Sequence, residues 1–286
     1  MAEVVLGIGG MEVRLSGADG VRHALALPGM ETFVVRGAKG SAIVTLDADL
    51  TLPECRLLHR FDIVDGHTKC LFGVDAEGVY WYSFEGHGLL RFDARRPDEV
   101  WCSSIGDASV LRFALWTAWA MLGLWRGVLP VHSSTVMCNG RAVMCLGESG
   151  TGKSTHTRLW LENIAGAELL NDDSPLLAVE AEGVVVYGSP WSGKTHCYKA
   201  ESHPVAALLR LEQRPENSIR RLGVVEAFTA LQPSCPPCLA KEERCLDRLV
   251  AYISDVIERV PVYRMGCLPD AAAARMSHDT IYGTGK

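Results

Sequence analysis

Residues 145–155 read CLGESGTGKST, and residues 168–174 read ELLNDDS. The first stretch matches G-x-x-x-x-G-K-[ST] at every fixed position: Gly147, Gly152, Lys153 and Ser154. Between them stand Glu148, Ser149, Gly150 and Thr151, and Thr155 follows. Glycines at these positions let backbone N–H groups turn inward around phosphate oxygens, and a helix starting there adds its positive dipole end. Lys153 then reaches the β- and γ-phosphates of a nucleotide, and the Ser154 hydroxyl is placed for Mg²⁺. The apolar run AVMCL before the loop reads as a strand and the segment after it as a helix, the context this motif requires. Residues 147–155 are therefore expected to hold the phosphates of a nucleotide.

Asp172 and Asp173 follow Leu169-Leu170, 19 and 20 residues after Lys153. A strand ending there brings both carboxylates to the sheet end where the phosphates sit. Adjacent strand residues point to opposite faces, so the pair divides its labour. Asp173 with Ser154 is expected to hold Mg²⁺, and Asp172 to accept the proton of an attacking hydroxyl. The sequence alone does not order these two roles. In Trp191-Ser-Gly-Lys194, Lys194 offers a positive charge for the transferring phosphoryl group. Glu148 is expected to face solvent or a second metal, because like charge keeps it from the γ-phosphate. His156 reads as a packing or capping residue.

HSS (132–134), LGESGTGKST and LLNDD together resemble the HPr kinase/phosphorylase and phosphoenolpyruvate carboxykinase superfamily. The likeness covers about a quarter of the chain, residues 130–200. It implies a P-loop kinase fold, phosphoryl transfer from ATP, and a role for His132 at the γ-phosphate or metal. Some members of the wider group phosphorylate a serine of a precursor peptide. The chain departs from HPr kinases in having Thr155 and His156 after the Lys-Ser pair, and in lacking their later substrate-loop signature. HPr as the substrate is therefore not implied. The acceptor is expected to be a peptide, protein or small-molecule hydroxyl. The alternative is a nucleotide-binding regulatory or assembly protein of the same fold, without transfer.

Around this motif the chain organises into two regions. Residues 1–105 read as short strands separated by Gly, Asp and Pro turns, among them TFVVRG (32–37), with SGADG (16–20) as a turn. Residues 106–286 read as mixed α/β, the nucleotide-binding region. There Asp107 caps a buried helix, and Asn139-Gly140 joins two strands as a hairpin.

Composition limits the rest. The 286 residues carry 28 Lys and Arg against 34 Asp and Glu, a net charge of −6, which argues against a nucleic-acid face. No uninterrupted apolar run is long enough to span a bilayer. No export signal is visible, so the cytoplasm is the expected location. Ten cysteines at irregular spacing read as thiols, and Cys235-Pro-Pro-Cys238 as a Pro-rich loop. A homo-oligomer stays open.

Overall fold

The computed structural model describes residues 2–64, 66–193 and 195–283. Among these it is a mixed α/β protein with two sheets and six α-helices. Two compact units divide it: Met1–Val128 with Cys238–Arg248, and Leu129–Pro237 with Leu249–Lys286. The boundary does not fall at residue 105. The helix expected to open the second region belongs to the first unit, and a later segment returns there.

The first unit holds an eight-stranded sheet. Its strands are β1 (Glu3–Ile8), β2 (Met11–Ser16), β3 (Ala42–Thr45), β4 (Cys55–Ile63), β5 (Thr68–Asp75), β6 (Tyr80–Phe84), β7 (Gly88–Phe92) and β8 (Glu99–Cys102). They lie in the order β1-β2-β3-β8-β7-β6-β5-β4. Two elements differ from the sequence reading. Ala18–Leu25 forms helix α1 where a turn was expected, because Gly20, Val21 and Ala24 fall on one buried face. TFVVRG makes no strand; Met30–Phe33 is a 3₁₀ turn that buries Met30 and Phe33. Helix α2 (Ala108–Leu124) starts at Asp107, whose side chain accepts from the N–H groups of Ser109 and Val110. Those bonds satisfy donors that every helix start leaves open.

The second unit contains β9 (Val128–Pro130), β10 (Ser133–Cys138), β11 (Arg141–Leu146), α3 (Lys153–Asn163), β12 (Glu168–Asp173), β13 (Leu176–Glu180) and β14 (Gly183–Tyr187). Next come β15 (Ser202–Gln213), β16 (Ser218–Arg221), α4 (Val224–Leu231), the part of α5 (Glu243–Arg259) from Leu249 onward, β17 (Val262–Cys267) and α6 (Ala271–Tyr282). The sheet runs β12-β10-β11-β15-β14-β13-β9, with β17 also parallel to β15 and β16 antiparallel to β17. The Asn139-Gly140 hairpin forms as expected, both residues having positive φ (50° and 73°).

One face of this sheet is covered by α3 and α6. Val143, Cys145, Leu209 and Leu211 from the strands meet Trp160 of α3 and Ala273, Ala274 and Ile281 of α6 in one buried cluster. Trp160 is the keystone: its Nε1–H donates to Ser277 Oγ at 2.9 Å, and its ring stands edge-on to His278 and Tyr282. No helix among the described residues is long and apolar enough to cross a membrane. All ten cysteines are free thiols.

Candidate functional site

Topology brings the two quoted stretches together, although their strands are not neighbours. Helix α3 carries the chain over β10, so β12 pairs with β10 rather than with β11. Since β10 is antiparallel to both, β11 and β12 run the same way and end at the same sheet edge. Ser133 of β10 is paired with Leu146 on one side and with Asp173 on the other. The loop 147–152 and the two aspartates therefore share one edge.

Backbone geometry explains the glycines of the loop. Gly147 has φ 152°, and a Cβ there would stand 2.4 Å from Thr151 Oγ1. Thr151 Oγ1 donates to the Glu148 carbonyl at 2.8 Å and closes the loop on itself. Helix α3 starts at Lys153, directly after Gly152.

Lys153 is buried, and its three ammonium protons have three acceptors. Nζ lies 2.8 Å from Gly147 O, 3.1 Å from Glu148 O and 2.9 Å from His132 Nε2. Burial holds the Lys153 ammonium below its usual pKa, opposed by the negative charges of Asp173 and Glu148. His132 Nδ1 stands 3.1 Å from Asp173 Oδ1. A ring that accepts at Nε2 carries its proton on Nδ1, so His132 donates to Asp173. Lys153, His132 and Asp173 thus form one hydrogen-bonded chain.

Ser154 Oγ donates to Asp172 Oδ1 at 2.9 Å. The sequence left the order of the two aspartates open; the Ser154 hydroxyl meets Asp172 rather than Asp173, with which it was expected to share Mg²⁺. The pleat decides it, because Asp172 lies opposite Ser134, whose hydroxyl bonds Thr157 of α3, and so faces that helix. Asp173 faces the other side of the sheet. Asp172 is buried, whereas the Asp173 side chain is 41% exposed.

The segment 189–193 is stitched to the end of β12. Gly193 N–H donates to Asp172 O at 2.7 Å, and Ser174 N–H to Trp191 O at 3.2 Å. Asn171 Nδ2 reaches both oxygens of Ser189 at 3.2 Å, and Ser189 Oγ donates to Ser174 O at 2.6 Å. A Cβ at Gly193 would stand 2.7 Å from Asp172 O, so that close approach needs glycine. Lys194, assigned a charge-stabilising role from sequence, lies outside the described residues.

Glu148 faces solvent, its side chain 69% exposed, and it has a partner that was not expected: Arg210 Nη2 donates to its Oε1 at 2.8 Å. That bond holds the Glu148 carboxyl below the ordinary range. Arg210 and Gln213, whose Nε2 donates to Gly150 O at 3.1 Å, were missed in the sequence reading. The available signal was an arginine interrupting the apolar run VAALLRL. A cavity of about 410 Å³ adjoins the loop, lined by Gly152, Thr155, Leu159, Gln213, Leu268 and Pro269 among others. Ser149 and Gly150 are exposed residues of the loop.

His156, on the first turn of α3, packs inward. Its Nε2 meets Ser277 Oγ at 3.0 Å and Trp160 Nε1 at 3.2 Å, while Nδ1 is buried without a hydrogen-bond partner. Burial pushes its pKa down from 6.5 to about 4. The folded chain resists the proton that the unfolded chain accepts, so stability is full above about pH 6.5 and is lost as pH falls toward 4. At 1.36 kcal/mol per unit the loss approaches roughly 3 kcal/mol. Thermal unfolding between pH 7 and 4.5 should show this drop, and His156→Gln should flatten it. An unchanged pH slope in the variant would refute the assignment.

No family model matches the chain, and no curated protein matches it. Among solved structures, the HPr(Ser) kinase/phosphatase from Coxiella burnetii matches 54% of this chain and 94% of its own, with 12% identity and a TM-score of 0.31. A likeness that distant decides no chemistry, which rests on the residues themselves.

Proposed function

We propose that the second unit is an ATP-dependent phosphotransferase that moves the γ-phosphoryl group to a hydroxyl of a peptide, a protein or a small molecule. One observation carries this reading: the Ser154–Asp172 pair and the Lys153–His132–Asp173 chain meet at the edge of a phosphate-loop motif. Loop N–H groups from 147–155 and the Lys153 ammonium would hold the phosphates, a phosphate oxygen replacing one of the carbonyls that Lys153 now bonds.

The residues present fit Mg²⁺. Ser154 Oγ and the Asp172 carboxylate are hard oxygen donors side by side, and Mg²⁺ takes few protein ligands when phosphates and water complete its shell. When bound, the ion would offset negative charge on the phosphate oxygens. The hydrogen bonds support the reverse of the roles expected from sequence: Asp172 as metal ligand and Asp173 as base. Asp173, more exposed and held by the His132 Nδ1–H, would take the acceptor's hydroxyl proton. The acceptor oxygen bonds to the γ-phosphorus as the bond to the β-phosphate bridging oxygen breaks, leaving ADP and a protonated Asp173.

The test is transfer from γ-labelled ATP with Mg²⁺ to serine peptides and small alcohols, using the full chain. Asp173→Asn should lower transfer by about 10²–10⁴-fold while leaving ATP affinity within a few-fold. Normal transfer by this variant would remove Asp173 from the base role. Tight ATP binding with no transfer to any acceptor would sink the enzyme reading in favour of a nucleotide-binding regulator.

A further inference from the structure

We infer that Arg210 is a phosphate-binding residue of this site, held in reserve by Glu148 until a nucleotide takes the carboxylate's place. This deepens the phosphotransferase reading and rests on it, because the anion concerned is the phosphate chain of the donor.

Register puts Arg210 at the loop. Strand β15 is parallel to β11, with Arg210 paired to Leu146, the residue immediately before Gly147. Leu146 is paired to Ser133, and Ser133 to Asp173. Asp173, Ser133, Leu146 and Arg210 therefore form one row across four strands, and paired residues share a face of a sheet. Leu209 and Leu211, on either side, join the core under α3. Arg210 thus stands on the Asp173 face, away from the α3 core.

Its surroundings are unusual for an arginine. The side chain is only 16% exposed, yet a guanidinium stays charged and its donors need acceptors. Nη2 has Glu148 Oε1, but Nη1 is buried with no hydrogen-bond partner. Glu148, by contrast, is 69% exposed and sits on the loop itself. A half-satisfied, mostly buried cation whose hydrogen-bonded carboxylate belongs to a solvent-facing loop residue is a poor structural ion pair. It is a good arrangement for exchange, since a phosphate offers several oxygens to a planar fork that one carboxylate oxygen leaves half used. Arg210 and Lys153 would then approach the phosphates from two sides, with Glu148 released to solvent.

The experiment measures Mg·ATP, inorganic tripolyphosphate and adenosine binding calorimetrically to the full-length parent, Arg210→Gln, Arg210→Lys and Glu148→Gln. Arg210→Gln should weaken ATP and tripolyphosphate binding by about tenfold or more, the value of a lost charge-assisted hydrogen bond, without changing adenosine binding. Arg210→Lys keeps the charge but loses the fork and should fall between. Glu148→Gln removes the competitor and should tighten ATP binding several-fold, an effect that a merely structural ion pair would not produce. Parent-like ATP affinity in a folded Arg210→Gln, or unchanged affinity in Glu148→Gln, overturns the inference and leaves the phosphotransferase reading standing. If Arg210→Gln fails to fold, Arg210→Lys and Glu148→Gln carry the decision. Failure of the parent to bind ATP or tripolyphosphate sinks both readings together.

Discussion

Lys153→Met is expected to lower phosphoryl transfer by about 10²–10³-fold, the usual consequence of removing a preorganised charge from a transferring group. ATP affinity should fall by at least about tenfold, because the ammonium's bonds to phosphate are charge-assisted. The variant should nevertheless fold. Methionine fills most of the lysine stem's volume; of the two carbonyls it abandons, Glu148 O belongs to an exposed residue, and loss of the donor to the buried Gly147 O costs only about 1–3 kcal/mol. A second readout separates charge from structure. Lys153 also donates to His132 Nε2, so its loss frees that ring to take either tautomer and loosens the hold on Asp173. The pH profile of residual transfer should therefore move in Lys153→Met, which simple loss of phosphate affinity would not cause. Transfer at the parent rate would exclude the loop from the chemistry.

Trp160→Ala is expected to cost about 3–5 kcal/mol of stability, the range for deleting a large buried aromatic side chain. The indole is fully buried between α3 and α6, and its N–H satisfies Ser277 Oγ and His156 Nε2. Deletion leaves a cavity and removes the donor from two buried acceptors together. Trp160→Phe separates these effects, keeping most of the volume while losing the bond, and should cost about 1–3 kcal/mol. Denaturant unfolding of the three proteins measures both. Because α3 begins at Lys153, the same loosening should weaken nucleotide binding in Trp160→Ala. Parent-like stability would show that α3 and α6 do not depend on this contact.

Much of the second unit was legible in the residues because its signals are local. The G-x-x-x-x-G-K-[ST] spacing, the Asn139-Gly140 turn and the Asp107 cap each act within a few residues, where backbone sterics and short hydrogen bonds decide. The two aspartates and His132 were also legible as candidates, the first from their place after an apolar run and the histidine from a resemblance. Less was legible in the first unit. SGADG carries turn residues, yet it starts α1, because burial of Val21 and Ala24 outweighs local propensity.

By itself, then, the sequence determined that this chain makes a glycine-rich loop opening a helix, and that two carboxylates follow on a strand. Which carboxylate meets Ser154 was decided only by tertiary structure. The answer depends on β12 pairing with β10, which sets the face each aspartate takes, and pairing across some 40 residues leaves no local trace. Arg210 belongs to the same class. Its local mark is a lone arginine in an apolar run, which names no partner, and the parallel register of β15 with β11 sets its guanidinium against Glu148. Local chemistry made the loop; long-range strand pairing chose the loop's partners.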